Sequence, residues 1–221
     1  MKKLNSEVYK VDDVNDFREL LNRSAKKYPD HVAYEFKENL GKKDQKVVKK
    51  TYKEVKEEVE AFGSSLLNMG LEGKKVALIG NNRYEWCESY FAVTTSNMVV
   101  VPLDKALPNG EIKSLIERSK ADAVIYENKY SEVFEEIKGS GNSSLKFYIN
   151  MDLKNDENGI LSFRKLVDDG KKLIKNKKSK YPKIKIDNTK MSVLIFTSGT
   201  TNTAKGVMLS QKNITSNIAS M

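Results

Sequence analysis

Met191-Ser-Val-Leu-Ile-Phe196 runs directly into Thr197-Ser-Gly-Thr-Thr-Asn-Thr-Ala-Lys-Gly206, and this junction decides how the rest of the chain is read. Residues 191–196 form a short apolar run bounded by turn-forming residues, the pattern of a buried β-strand. Thr197 to Thr203 then bring five hydroxyls and one glycine, with Lys205 and Gly206 close behind. A polyphosphate needs many short donors on a backbone that can approach closely, together with a positive charge. Hydroxyls and bare amide N–H groups supply the donors, glycine permits the approach, and lysine carries the charge. A loop of this kind at a strand end lies where open α/β sheets hold their ligands.

The nearest competing motif is the G-x-x-x-x-G-K-[ST] loop of the P-loop NTPases. Counted from Gly199, that register needs Gly at 204 and Ser or Thr at 206, where the chain has Ala204 and Gly206. The run instead resembles the signature loop of the AMP-forming adenylating enzymes: acyl-CoA synthetases, luciferases and peptide-synthetase adenylation domains. Their pattern is roughly [FY]-T-S-G-[ST]-[ST]-G-x-P-K-G-V, followed by Ser/Thr-His-x-Asn. Phe196, Thr197, Ser198, Gly199, Thr200, Thr201, Lys205, Gly206, Val207, Ser210 and Asn213 match it, while Asn202, Ala204 and Gln211 replace Gly, Pro and His. Asn is the side chain that best tolerates a left-handed backbone, so Asn202 is compatible with the loop's shape. The resemblance implies that Thr197, Ser198, Thr200, Thr201 and Thr203 donate to the β- and γ-phosphates of ATP. It implies further that Gly199 and Gly206 let the backbone come close and that Lys205 is the catalytic counter-charge, with Mg²⁺ accompanying the nucleotide and no metal ligand assigned. The loop's composition also predicts mobility around 199–204 in the absence of ligand.

Outward from the loop, strand and helix patterns alternate. Lys75–Ile79, Met98–Val101, Asp122–Tyr126 and Leu145–Ile149 are short apolar runs that predict buried strands. Helical spacing marks the segments carrying Trp86, Tyr90 and Val93, then Ile112, Leu115 and Ile116, then Tyr130, Val133, Phe134 and Ile137, the last stopping at Gly139. Asn82-x-x-Glu85 is positioned to cap the first of these, and Ser162 to cap a further helix ending at Gly170. Nearer the N-terminus, Val14 to Ser24 reads as a helix closed by Pro29, and residues 32–36 and 46–51 as a hairpin around Gly41. Thr51-x-x-Glu54 is a capping box for a helix with Tyr52, Val55, Val59, Phe62 and Leu66 on one face and Gly70 at its end. The expected fold class is therefore α/β, a largely parallel sheet flanked by helices. Three regions are expected: 1–50, an opening helix and hairpin; 51–190, an α/β subdomain ending in a Lys-rich linker; and 191–221, a strand, the phosphate loop and a following helix that begin a second subdomain. Thr51-Tyr52, Gly80-Asn-Asn-Arg-Tyr-Glu-Trp86 and Val101-Pro-Leu-Asp-Lys-Ala-Leu-Pro108 are similar to the long-chain acyl-CoA synthetase branch of the same family. Read from the residues alone, Asn82, Arg83 and Trp86 are a helix cap, a surface charge and a core aromatic.

Bulk composition narrows the function classes. Of 221 residues, 39% are hydrophobic and 31% charged, as in ordinary globular proteins with solvated surfaces. The net charge of +9 comes mainly from lysine, with arginine only at Arg18, Arg23, Arg83, Arg118 and Arg164. Base readout favours arginine, so nucleic acid is not an expected partner. The basic stretch from Lys171 to Lys183 reads as an exposed linker that permits at most a peripheral contact with an anionic membrane. The sole cysteine, Cys87, excludes a disulfide framework and fits a reducing, cytoplasmic setting. No apolar run approaches the ~18 residues of a membrane span. Cys87 reads as a packed thiol, and His31, the sole histidine, as structural.

The resemblance implies a two-step reaction: a carboxylic acid attacks ATP to give an acyl-adenylate and pyrophosphate, and the thiol of coenzyme A then displaces AMP. The acid expected from the long-chain branch is a fatty acid. Other family chemistry (amino-acid or aryl-acid activation) and a nucleotide-binding fragment without turnover remain open at this point. Further family motifs are expected in a C-terminal part of the same enzyme, so the 221 residues read as an N-terminal piece that is inactive alone.

Overall fold

Val76 and Leu78 point to one side of a strand while Ala77 and Ile79 point to the other, and all four are fully buried. Such a strand must be covered on both faces, the condition of a parallel sheet between helical layers. The computed structural model describes residues 13–38, 43–141, 143–197 and 204–219. In chain order the elements begin with α1 (Phe17–Lys27), β1 (Val32–Glu38), β2 (Lys46–Thr51), α2 (Tyr52–Asn68) and β3 (Lys75–Ile79). There follow α3 (Tyr84–Thr94), β4 (Val99–Pro102), α4 (Asn109–Ser119), β5 (Ala123–Tyr126) and α5 (Ser131–Ser140). The remainder is β6 (Phe147–Asn150), β7 (Leu161–Ser162), α6 (Phe163–Lys175), β8 (Met191–Thr197), β9 (Lys205–Ser210) and α7 (Gln211–Ala219).

The main sheet has the order β7-β6-β5-β3-β4-β8-β9, and β1 pairs with β2 in a separate antiparallel hairpin. Every neighbouring pair from β7 to β8 is parallel, as the strand–helix alternation requires, and only β8–β9 is antiparallel. One face packs Val76, Leu78, Val100 and Ile125 against Phe62 of α2, Val93 of α3 and Phe163 of α6. The other packs Ala77, Ile79, Val101 and Val124 against Ile116 of α4 and Phe134 of α5.

Several local expectations hold. The Thr51 hydroxyl accepts from the Glu54 amide at 3.2 Å while the Glu54 carboxylate accepts from the Thr51 amide at 2.8 Å, a complete capping box on α2. Gly70 follows that helix with φ +81, the left-handed stop that glycine makes easily. Ser162 caps α6 through the Lys165 amide. Gly41 and residues 199–203 of the segment expected to be mobile fall outside the described residues, while Ala204 is described and partly buried.

Others are corrected. The helix carrying Trp86 starts at Tyr84 with Arg83 in the cap position and no side-chain cap, because Glu85 is drawn into an ion pair with Arg83 at 2.8 Å. The helix α5 runs past Gly139, and its left-handed stop is Gly141 at φ +67. Gly170 does not end α6, which continues to Lys175. A Cβ at Gly170 would lie 1.8 Å from the carbonyl oxygen of Ala61, so this glycine is where α6 presses against the backbone of α2. The basic stretch after Gly170 begins within that helix. It returns to the core at Tyr181, which is buried with the Arg18 guanidinium 4.2 Å above its ring.

Candidate functional site

β8 lies parallel to β4 through Val100 opposite Val193, so its C-terminal end, Thr197, points out of the sheet on the same side as the ends of β3 to β6. The chain returns antiparallel as β9, a strand absent from the sequence expectation, which sets Lys205 directly opposite Thr197. These two residues close the base of the loop. Both are exposed, and Lys205 makes no ion pair among the described residues. Ser198, Gly199, Thr200, Thr201 and Thr203 lie outside the described residues, as does Asn202.

Residues opposite each other in an antiparallel ladder share a face. Phe196 and Gly206 therefore look to the side opposite Thr197 and Lys205, toward the α4–α5 layer. A Cβ at Gly206 would come 3.2 Å from Leu194 and 3.5 Å from Phe196. The missing side chain leaves Phe196 room to pack against that core layer, alongside Ala204.

Arg118, in the last turn of α4, reaches the same place. Its Nη2 donates to the Ala204 carbonyl and its guanidinium carbon lies 5.4 Å over the Phe196 ring. No sequence signal marks it, because its partner is a backbone oxygen 86 residues away.

Gln211, where the resembled pattern has histidine, is buried and fully engaged. Its Nε2 donates to the Thr94 carbonyl at 2.9 Å, and its Oε1 accepts from the Phe17 amide at 2.8 Å. It joins the start of α7 to the end of α3 and the start of α1. Ser210 and Asn213 exchange hydrogen bonds at the same turn.

The chain order places a topological switch between β3 and β5, because β4 lies on one side of β3 and β5 on the other. Open α/β sheets take ligands in the crevice beyond such a switch. Here it is bridged by protein groups: the Asn81 amide and side chain donate to Glu127, and Arg83 donates to Asp152 at 2.6 Å and to Glu85. Burial disfavours the Arg83 charge, but its hydrogen bonds to Glu85 and Asp152 outweigh that effect and keep it protonated. The residue read as a surface charge is thus the hub of three carboxylates.

A cleft of about 620 Å³ between α1, α2 and the end of α6 is lined by Arg18, Lys56 and Tyr181, and by neither Thr197 nor Lys205. Cys87 is half-buried, and burial pushes its thiol up and away from the reactive thiolate. His31 stands edge-on to Tyr28 at 5.4 Å. Among the described residues no group of three His, Cys, Asp or Glu side chains could hold a metal ion, and no helix is long and apolar enough to cross a membrane.

The family model described as AMP-binding enzyme matches residues 21–221. Long-chain-fatty-acid–CoA ligase 5 of Rattus norvegicus is 34% identical over 180 residues, which are 76% of this chain and 26% of that protein. Long chain acyl-CoA synthetase 5 of Arabidopsis thaliana is 29% identical over 211 residues, 92% of this chain and 31% of that protein. The chain thus spans between about a quarter and a third of the length of these curated relatives. The fold is similar to a long-chain-fatty-acid-CoA ligase from Archaeoglobus fulgidus, with a TM-score of 0.71, 14% identity and coverage of 94% of this chain and 39% of that one. It is also similar to the luciferase-like enzyme of the Zophobas morio mealworm, with a TM-score of 0.71, 20% identity and coverage of 89% and 43%.

Proposed function

Since the chain belongs to the AMP-binding enzyme family, we propose that the protein containing it is an ATP-dependent, AMP-forming fatty acid–CoA ligase. In the first step a carboxylate oxygen attacks the α-phosphorus of ATP and the bond to the bridging oxygen breaks, giving acyl-adenylate and pyrophosphate. In the second, the deprotonated thiol of coenzyme A attacks the acyl carbon, AMP leaves with the bonding pair, and a thioester remains.

The observation that carries this reading is the hairpin closure, within the matched region, that sets Lys205 against Thr197 at the carboxyl edge of the sheet. The β- and γ-phosphates leave as pyrophosphate and gain negative charge as the α-phosphorus bond breaks. Lys205 meets that charge from the loop base. The hydroxyls of Thr197, Ser198, Thr200, Thr201 and Thr203 donate to the phosphate oxygens, and Gly199 and Gly206 allow close backbone approach. Positioning and charge neutralisation are most of what such a displacement asks of a protein. Mg²⁺ fits this donor set only as a companion of the nucleotide, since the described residues around the loop base offer hydroxyl and cationic groups and no carboxylate cluster. A fatty acid is favoured as substrate by the names of the curated relatives. A cytoplasmic setting is supported by the single, half-buried thiol, and at most a peripheral membrane contact by the exposed lysines of and beyond α6.

The test is fatty-acid-dependent ATP–pyrophosphate exchange by the whole protein. Lys205→Ala is expected to lower kcat on the order of 10²-fold, with a smaller change in the KM for ATP, because its charge acts most strongly on the leaving pyrophosphate. Exchange that is unaltered in Lys205→Ala would refute the role given to Lys205, and absence of exchange with every fatty acid tried would refute the activity.

A further inference from the structure

α4 is fixed at its C-terminal end. Ile112, Leu115, Ile116 and Ser119 are buried, the Ser119 hydroxyl donates to the Ile116 carbonyl at 2.8 Å, and Lys120 turns the chain in the left-handed region at φ +52. Arg118 leaves this rigid end toward solvent, where an arginine ordinarily stays hydrated or takes a nearby carboxylate. Glu117 is its neighbour in sequence, yet Arg118 makes no ion pair among the described residues. It crosses instead to the β8–β9 hairpin, donates to the Ala204 carbonyl and covers Phe196.

The carbonyl it takes is a particular one. The β8–β9 ladder ends at the Thr197–Lys205 pair, and Ala204 lies one residue beyond it, on the loop side. β8, which carries Thr197, is anchored to β4 through Val193 as well as to β9, whereas β9 is an edge strand among the described residues, exposed from Lys205 to Met208. Of the two legs of the loop, the one bearing Lys205 is the less supported. Among the described residues, Arg118 gives that leg its one side-chain hydrogen bond at the loop base and ties it to the helical layer.

We propose that Arg118 is a positioning residue for the phosphate loop: by holding the Ala204 carbonyl it fixes the backbone from which Lys205 projects beside Thr197. The proposal rests on the phosphate-handling role given to Lys205 above. Arg118 acts through Lys205, so its loss matters only while that ammonium is present.

The whole protein is assayed by palmitate-dependent ATP–pyrophosphate exchange as wild type, Arg118→Ala, Arg118→Lys, Lys205→Ala and the Arg118→Ala/Lys205→Ala double variant. Arg118→Ala is expected to lower kcat/KM for ATP about tenfold, a shift of the lysine well short of its removal. Arg118→Lys recovers most of the loss, because an ammonium can also donate to the carbonyl and lie over Phe196. In the Lys205→Ala background Arg118→Ala costs less than about twofold, the non-additivity of two residues working through one contact. Equal losses in both backgrounds, or no loss in either, overturn the proposal. Hydrogen exchange of the Lys205–Leu209 amides gives a second, activity-independent reading. Arg118→Ala is expected to speed exchange there and leave β3 and β5 unchanged, whereas unchanged protection of β9 overturns the proposal. If the wild type shows no pyrophosphate exchange with any fatty acid, the functional reading fails and the clamp is still judged by its amides.

Discussion

Glu88 offers the most quantitative test of the fold. It lies on α3 with 1% of its surface exposed, and neither carboxyl oxygen has a hydrogen-bond partner among the described residues. Burial, reinforced by the nearby charges of Glu58 and Glu85, pushes its pKa from the ordinary 4.5 to about 8, against the opposing pull of Arg164 and Lys50. Folding near neutrality therefore takes up a proton that the unfolded chain has released. For an acid whose pKa rises on folding, stability is fully present below about 4.5 and is lost progressively as pH climbs toward 8. Between those limits the slope is about −1.4 kcal/mol per pH unit, and by pH 7 the accumulated cost is roughly 3 kcal/mol. Glu88→Gln removes the ionisation while keeping the shape. At pH 5 it is expected to match the wild type to within about 1 kcal/mol, because a neutral amide and a protonated carboxyl face the same unsatisfied surroundings. At pH 7 it is expected to be the more stable by roughly 3 kcal/mol. Urea unfolding of both proteins at pH 5, 6, 7 and 8, compared at equal m-value, reads the difference directly. A stability difference that stays constant across this range would refute the reasoning, since only a titrating Glu88 makes it grow with pH.

Two further changes probe contacts described above. Gly170→Ala drives a methyl into the Ala61 carbonyl, 1.8 Å from the ideal Cβ position, and is expected to destabilise by about 3 kcal/mol or more, or to prevent folding. A thermal midpoint within a few degrees of wild type would show that α2 and α6 can separate freely. Gln211→Ala strands the Phe17 amide and the Thr94 carbonyl and is expected to cost about 2–4 kcal/mol in urea unfolding. Gln211→Asn, too short to span both partners, is expected to recover little of that loss.

Much of the parallel core was legible because its cause is local. Strands buried on both faces must be apolar at consecutive positions, as in Val76-Ala-Leu-Ile79, and the Thr51–Glu54 box closes within four residues. The misreadings share a non-local cause. Gly170 signals a helix end in one dimension, but its role is set by Ala61, more than a hundred residues earlier. Asn82 is plausible as a cap until Arg83 is drawn to its neighbour Glu85 and to Glu127 and Asp152, which come from beyond β5 and β6. β9 is not legible because an exposed edge strand needs neither a long apolar run nor a clear alternation, and Lys205-Gly-Val-Met-Leu-Ser210 offers only three consecutive apolar residues. At the candidate site, Thr197 and Lys205 are legible as types in a motif. Their being face to face depends on the hairpin register, and Arg118 leaves no trace because it recognises a carbonyl that every residue possesses.

The Gln211 contact also bears on how the protein emerges from the ribosome. The amide of Phe17 waits for an acceptor made 194 residues later, an interval of roughly 10–40 s at ordinary elongation rates. During that time β3 to β7 can assemble from segments already synthesised, while the start of α1 lacks its Gln211 contact. A nascent chain halted shortly before Gln211 should then leave the Phe17 region open to protease while the central strands are already protected, so α1 is fastened only after them.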